Sequence, residues 1–427
     1  MINKRGSKIS AIPTTLCALF AATLSACGGG DAGSSTGTDS LATGLTDSSS
    51  LAQTQAAGGN GRGKGKGVDL TPPAPAPAPA PAPVPAPEPV PAPAPVSAPA
   101  PAPAPAPTPA PAPAPVPAPA PATLMPYIDV SKIPAAGASY ATARVMAANV
   151  ADSSQVPAPA NIGAFREVCN FSHMSFDDPI VHPGQPGVSH LHTFFGNASV
   201  DAFSTVQSIS TSGNSSCAGG TLNRTAYWVP TLIDTKDGTP VVPAGSSIYY
   251  KTGYLGVAPA TVKPMPTGLR MVAGNPNATA PQNGIGRFAC VGATADNTWR
   301  GYISSCPAGS QLVAEVEFPQ CWDGVNLDSP DHKSHMAYAN NGCPSTHPVP
   351  LPLVSFEIHY NVTDSTQTAR WRLSSDNYDP SLPGGYSSHG DWFMGWDPSI
   401  MSTFVAKCLD TSMDCHAYLL GDGRTLY

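Results

Sequence analysis

Charge is scarce in this chain: Asp, Glu, Lys and Arg make up 11% of its 427 residues, and the formal net charge is −7. The basic residues form no long cluster beyond Arg62, Lys64 and Lys66, which sit in a glycine-rich tract. Nucleic acid needs a basic face to neutralise its phosphates, so no nucleic-acid partner is expected. No C-x2-C pair occurs, which removes the usual spacing of a thiolate zinc site. No G-x-S-x-G occurs either, and the adjacency of Ser189 and His190 does not make a triad. The longest apolar run, Ala11 to Leu24, is too short for an ordinary transmembrane helix. Histidine is missing from the N-terminal part altogether, since all ten lie between His173 and His416.

What the N-terminal part does contain is an export and tethering pattern. Lys4, Arg5 and Lys8 precede the apolar run, which ends Leu24-Ser-Ala-Cys27, so residues 1–26 read as a removable signal. That ending resembles a bacterial lipobox, which implies that Cys27 becomes the lipidated first residue of an outer-membrane lipoprotein. A plain secretory signal cut after Ala26 is the alternative. Residues 27–71 are rich in Gly, Ser, Thr and Ala and bury too little to repay ordering, so they are expected to form a disordered tether. Of 51 prolines, 25 fall between Pro72 and Pro121. Such a Pro-Ala spacer, residues 72–122, holds an extended polyproline conformation at about 3.1 Å per residue and reaches on the order of 150 Å.

Residues 123–427 remain for a globular domain, about 300 residues and enough for one large core or two small ones. Eight of the ten cysteines lie there: Cys169, Cys217, Cys290, Cys306, Cys321, Cys343, Cys408 and Cys415. An even count in an exported chain predicts disulfides, and although eight cysteines allow 105 connectivities, loop closure favours 290–306, 321–343 and 408–415, leaving 169–217. Gln311 to Phe318 and Val354 to Tyr360 alternate apolar and polar residues as half-buried strands do. Ala226–Ile233, Ser246–Tyr254 and Ala369–Leu373 also read as strands, and turns such as Asp237-Gly238, Asn283-Gly284 and Pro383-Gly384-Gly385 are dense. Helix is predicted after Asp397-Pro398, with Ile400, Phe404, Val405 and Cys408 on one face, and over Ala141–Val150. The expected fold is mainly β: a single antiparallel sandwich-like domain with few short helices, stapled by disulfides.

The chemistry-bearing stretch is His182-Pro-Gly-Gln-Pro-Gly-Val-Ser-His190-Leu-His192, followed by Thr-Phe-Phe-Gly-Asn197. If 190–192 is extended, His190 and His192 project to one side and Leu191 to the other, which offers two imidazoles to one ion. His389-Gly-Asp391 repeats that spacing near the C-terminus, beside Trp392. Convergence of His190, His192, His389 and Asp391 on one divalent ion is therefore predicted, with Phe194 and Trp392 shielding it. Mixed imidazole and carboxylate ligands suit zinc, whereas imidazoles alone also suit copper. A second cluster is His332 and His335, three apart and able to share a helical turn.

The segments SHLHTFFGN, CAGGTLNRTAYWVP, FPQCWDGVNLDSPDHKSHMAY, CPSTHPVPLP and HGDWFMGWD, in this order between Phe165 and Cys415, resemble the secreted bacterial and fungal family catalogued as domain of unknown function nineteen-ninety-six. The resemblance implies export, since fungal members often carry carbohydrate-binding modules. It implies no reaction.

Two functional expectations follow. One is an exported hydrolase, metal-assisted at the four-residue site, with Asp391 and Glu357 as catalytic carboxylates and an extracellular polymer such as polysaccharide as substrate. Glu315, Glu317, Asp323 and Asp328 are further carboxylate candidates, although alternating-strand glutamates are more simply solvent-facing. The other is a non-catalytic carbohydrate- or surface-binding module in which Trp228, Trp322, Trp392 and Trp396 form a stacking platform for sugar rings. Either way the lipid on Cys27 would hold the protein on the outer membrane, facing the periplasm or the cell surface.

Overall fold

The computed structural model describes residues 123–148, 156–157, 162–282 and 284–427. The signal, Cys27, the tether, the Pro-Ala spacer and Asn283 lie outside the described residues. Among the described residues no helix is long and apolar enough to cross a membrane.

The architecture is mostly β, with two principal sheets packed face to face. The larger has seven strands in the order Gly286–Val291, Gln311–Glu317, Leu353–Asn361, Gly245–Thr252, Gly163–Cys169, Met413–Ala417 and Val156–Pro157. Every pairing in it is antiparallel except the irregular parallel one between 163–169 and 413–417. The smaller sheet has five strands in the order Arg270–Gly274, His389–Phe393, Ala226–Pro230, His192–Gly196 and His173–Ser175. Strand periodicity of two decides what fills the space between the sheets. Phe195, Tyr227, Met271 and Trp392 from the small sheet meet Phe165, Ile248, Val316 and Phe356 from the large one in a single buried cluster. Tyr227 and Phe356 sit edge to face there, 5.4 Å between centroids.

The opposite face of the small sheet carries a second, smaller core. Phe194, Trp228, Val272 and Phe393 are covered by Ile180, Val200 and Ile209 from the connecting segments. Because both faces are buried, the 192–196 and 389–393 strands contain no exposed residue at all.

The alternating patterns at 311–318 and 354–360 and the Asp397-capped helix Pro398–Phe404 lie where expected. All four disulfides join the pairs that loop closure favours. Three local readings require correction. Residues Val145–Ala147 form a short strand paired with Arg424–Leu426, not a helix, so the cross-strand partner overrides local helical preference. The stretch 226–233 divides into Ala226–Pro230 and Leu232–Asp234, in different sheets. Pro230 has no N–H to continue a ladder, and Thr231 turns away to donate its amide to Leu191. In the 369–373 stretch only Trp371–Leu373 is strand, preceded by a 3-10 turn at Thr368–Arg370.

Candidate metal centre

Register explains why segments two hundred residues apart meet. The 192–196 and 389–393 strands flank the same neighbour, and both run antiparallel to it. Phe194 pairs with Trp228, and Trp228 with Asp391. His192 pairs with Pro230, and the register that joins Asp391 to Trp228, carried two residues further, brings His389 level with the same proline. His192, His389 and Asp391 therefore share the outer face of the small sheet. The residues between them point inward. Leu191 is fully buried, and a Cβ built on Gly390 would lie 3.2 Å from Val316 and 3.3 Å from Phe318. Glycine at 390 leaves room for the Val316 and Phe318 side chains of the large sheet, which a larger residue would press against.

The side chains converge. His190, His192 and His389 offer nitrogens within 4.8 Å of one another, and Asp178, His192 and Asp391 form a second such set that shares His192. The Nε2 atoms of His190 and His389 face each other at 3.1 Å. Backbone carbonyls set two tautomers, since an oxygen can only accept. His192 Nδ1 donates to the Asp177 carbonyl at 3.0 Å, and His389 Nδ1 donates to the Ser387 carbonyl at 2.7 Å. Nε2 of each ring is left as a lone-pair donor directed at the cluster, the way imidazole ligands are commonly oriented. Ser387 is itself fixed by Asp376, which accepts from its hydroxyl at 2.6 Å and also from the amides of Leu373 and Gly385.

Electrostatically the site is under strain from burial. His192 is pushed down to about 4 and His389 to about 3, in both cases mainly by desolvation, and His190 is driven well below its ordinary value for the same reason. Burial raises the Asp391 carboxyl well above the carboxylate range, and Asp178 beside it adds repulsion. Asp178 is raised by burial too, although it accepts hydrogen bonds from the Ile180 and Val181 amides, each at 2.9 Å. His192 Nε2 and both carboxylate oxygens of Asp391 are buried with no hydrogen-bond partner. Buried polar atoms are normally paired, and unpaired charge costs several kcal/mol or is neutralised by a proton or a cation.

A cavity of about 510 Å³ opens over the cluster, lined by His190, His389, Asp178 and Asp391 at its base and by Phe176, His182 and Val188. Met125, Pro126 and Ile128 close another side, so chain immediately beyond the spacer is part of the wall. Leu124 is fastened there through its amide to Asn377 at 2.8 Å.

Of the four residues expected to converge, the three histidines meet, while Asp391 falls in the set that His192 forms with Asp178; Phe194 lies 6.1 Å from the His192 ring. Trp392 does not shield the site. It points between the sheets and donates to Tyr250 at 3.4 Å. Nor do the tryptophans form a platform: Trp228, Trp392 and Trp396 are buried at 0 to 1% exposure, and Trp322 is only partly exposed. Trp392 and Trp396 belong to the core between the sheets, and Trp228 to the smaller core on the outer face of the small sheet. His332 and His335 do not form a second cluster. The first, at a positive φ, pairs with Asp328 at 3.0 Å, and the second spends both ring nitrogens on Ser329 and the Arg270 carbonyl. Glu357 projects from the outer face of the large sheet, with the central core between it and the histidines, so it cannot share a reaction with Asp391. Asp178 was not foreseen. It stands in an Asp-Asp-Pro turn with no strand or helix period, and only its closeness in sequence to three histidines hints at the role.

A family model described as domain of unknown function (DUF1996) matches residues 178–396, a span that begins at Asp178 and contains the whole cluster. No curated protein and no solved structure matches the chain.

Proposed function

The chain belongs to the family described as domain of unknown function (DUF1996), and within it we propose an exported, metal-assisted hydrolase acting on an extracellular polymer such as polysaccharide. One observation carries the reading: His192 Nε2 and both Asp391 oxygens, buried and unpartnered, point into a histidine cluster at the base of a cavity. His192 and Asp391 would be satisfied together by a divalent ion. His190, His192, His389 and Asp391 would hold it, and this borderline N/O set suits zinc. The ion would supply Lewis acidity and lower the pKa of a water molecule at the cavity base. Asp178, with one carboxylate oxygen held by the Ile180 and Val181 amides, would be placed to accept a proton at its other oxygen. The cavity has the volume of a small-molecule subsite, enough for one or two units of a polymer whose ends run out over the rim.

The lipobox-like Leu24-Ser-Ala-Cys27 and the Pro-Ala spacer support the rest of the proposal. Lipidated Cys27 would anchor the protein to the outer membrane, and the spacer would carry the domain away from it. The test is product release from extracellular polysaccharides by the intact chain, with zinc and with chelator. Turnover that depends on zinc and is lost in Asp178→Asn supports the reading. Equal turnover with and without metal would overturn it.

A further inference from the structure

The outer face of the large sheet holds a second built groove, of about 480 Å³, which the histidine site does not use. Its floor follows from register. Arg287, Glu315, Glu357 and Ser247 pair in one row across four strands, and Glu317, Ser355 and Tyr249 pair in a neighbouring row. Residues paired across antiparallel strands share a face, and the intervening Phe288, Val316, Phe356 and Ile248 are core, so both rows point away from it. Glu315 and Glu357 thus stand directly opposite each other, a pairing that costs stability.

The available cations do not resolve this. Arg287 is committed to Glu315, with its guanidinium 4.9 Å from the centroid of the Trp299 ring. Lys251 lies 3.8 Å from Glu317 and over the Tyr254 ring. Glu357 is left with no cation partner among the described residues. Ser355, at 1% exposure, has a hydroxyl with no hydrogen-bond partner, and its row places it beneath the groove between Glu317 and Tyr249, which both line it. Trp299 stays 37% exposed at the groove wall, its ring held by the guanidinium behind it. Carboxylates in excess of cations, an unpaired buried hydroxyl and a preoriented exposed indole together describe a surface suited to hydrogen-bond donors carried on a flat, partly apolar ring.

We propose that this groove binds a glycan bearing hydroxyl or amino donors, separately from the histidine site. Pyranose C–H faces stack on Trp299 and Tyr254, while Glu357 and Glu317 accept from sugar hydroxyls or amines. Three carboxylates against two cations disfavour a polyanion. Uronate and sulfated polymers are therefore rejected. The inference does not depend on the metal reading, because the two sites occupy opposite outer faces of the sandwich.

Calorimetry of the intact chain in chelator, titrated with a glucosamine hexamer, with cellohexaose and with oligogalacturonate, tests it. Binding of the glucosamine or glucose oligomer, weakened about tenfold by Trp299→Ala and by the isosteric Glu357→Gln, is expected, on the scale of one aromatic or charged contact. His389→Ala should leave that binding unchanged. Circular dichroism on each variant separates lost folding from lost contact, and Glu357→Gln decides the matter should Trp299→Ala misfold. Binding of neither donor oligomer, tighter binding of oligogalacturonate, or loss of binding in His389→Ala with the fold intact would each overturn the proposal.

Discussion

Replacing His389 by glutamine should flatten the acid limb of the metal-free protein's stability. His389 is buried in the 389–393 strand and held neutral, pushed down to about 3 by desolvation first and by His192 next. A histidine in the unfolded chain titrates near 6.5. Below that pH the unfolded state takes up a proton that the folded state refuses. The stability His389 contributes is therefore complete above pH 6.5 and is lost as pH falls from there towards 3. Across pH 6.5 to 4.5 the loss steepens from about 0.7 to about 1.4 kcal/mol per pH unit, about 2 kcal/mol in total. Asp391 works in the opposite sense: its raised pKa favours the folded state at low pH, and that contribution is lost as pH rises through the raised value. Subtracting the His389→Gln curve from wild type isolates the histidine term. Urea unfolding of both proteins in chelator, at several pH values over this range, measures it. Wild type should lose about 2 kcal/mol more than the variant. Parallel curves would show that His389 is not held neutral, and the account of the site's electrostatics would fail.

Thiol titration of the denatured, unreduced chain should find none of the eight domain cysteines free, as the four disulfides require. Replacing Cys290 and Cys306 by serine opens a 16-residue loop and should cost about 3 kcal/mol in denaturant unfolding. Gly390→Val should cost about 1 to 3 kcal/mol by overpacking against Val316, Phe318 and Phe356, and should weaken zinc binding by shifting His389 and Asp391. Cys27→Ser should move the protein from the membrane fraction to the soluble one. A wild-type protein already soluble would remove the anchor from the proposal.

The sequence carried the sandwich and the meeting of the three histidines because both rest on period two. Where apolar residues alternate, as from Leu312 to Phe318, burial follows directly, and the x-His-x-His and His-x-Asp spacings are the same rule applied to ligands. Cysteine pairing was legible because short loops close most cheaply. What stayed hidden depended on contacts distant in sequence. A strand with both faces buried, such as 389–393, does not reveal which face holds a tryptophan, and so Trp392 was placed beside the metal site when it belongs to the central core. Glu357 was grouped with Asp391 because spacing gives no information about which sheet a strand joins. Asp178 and Asp376 act from turns, where no periodicity exists to mark them.

The most direct test of the central claim is metal content and ligand identity in the intact chain after incubation with zinc and gel filtration. The account predicts one tightly held ion per chain, with X-ray absorption showing a first shell of nitrogen and oxygen at about 2.0 to 2.2 Å and no sulfur. It also predicts that His192→Ala and Asp391→Ala, each still folded, retain none. A chain that holds no zinc, or one whose ion persists unchanged in both variants, would contradict it.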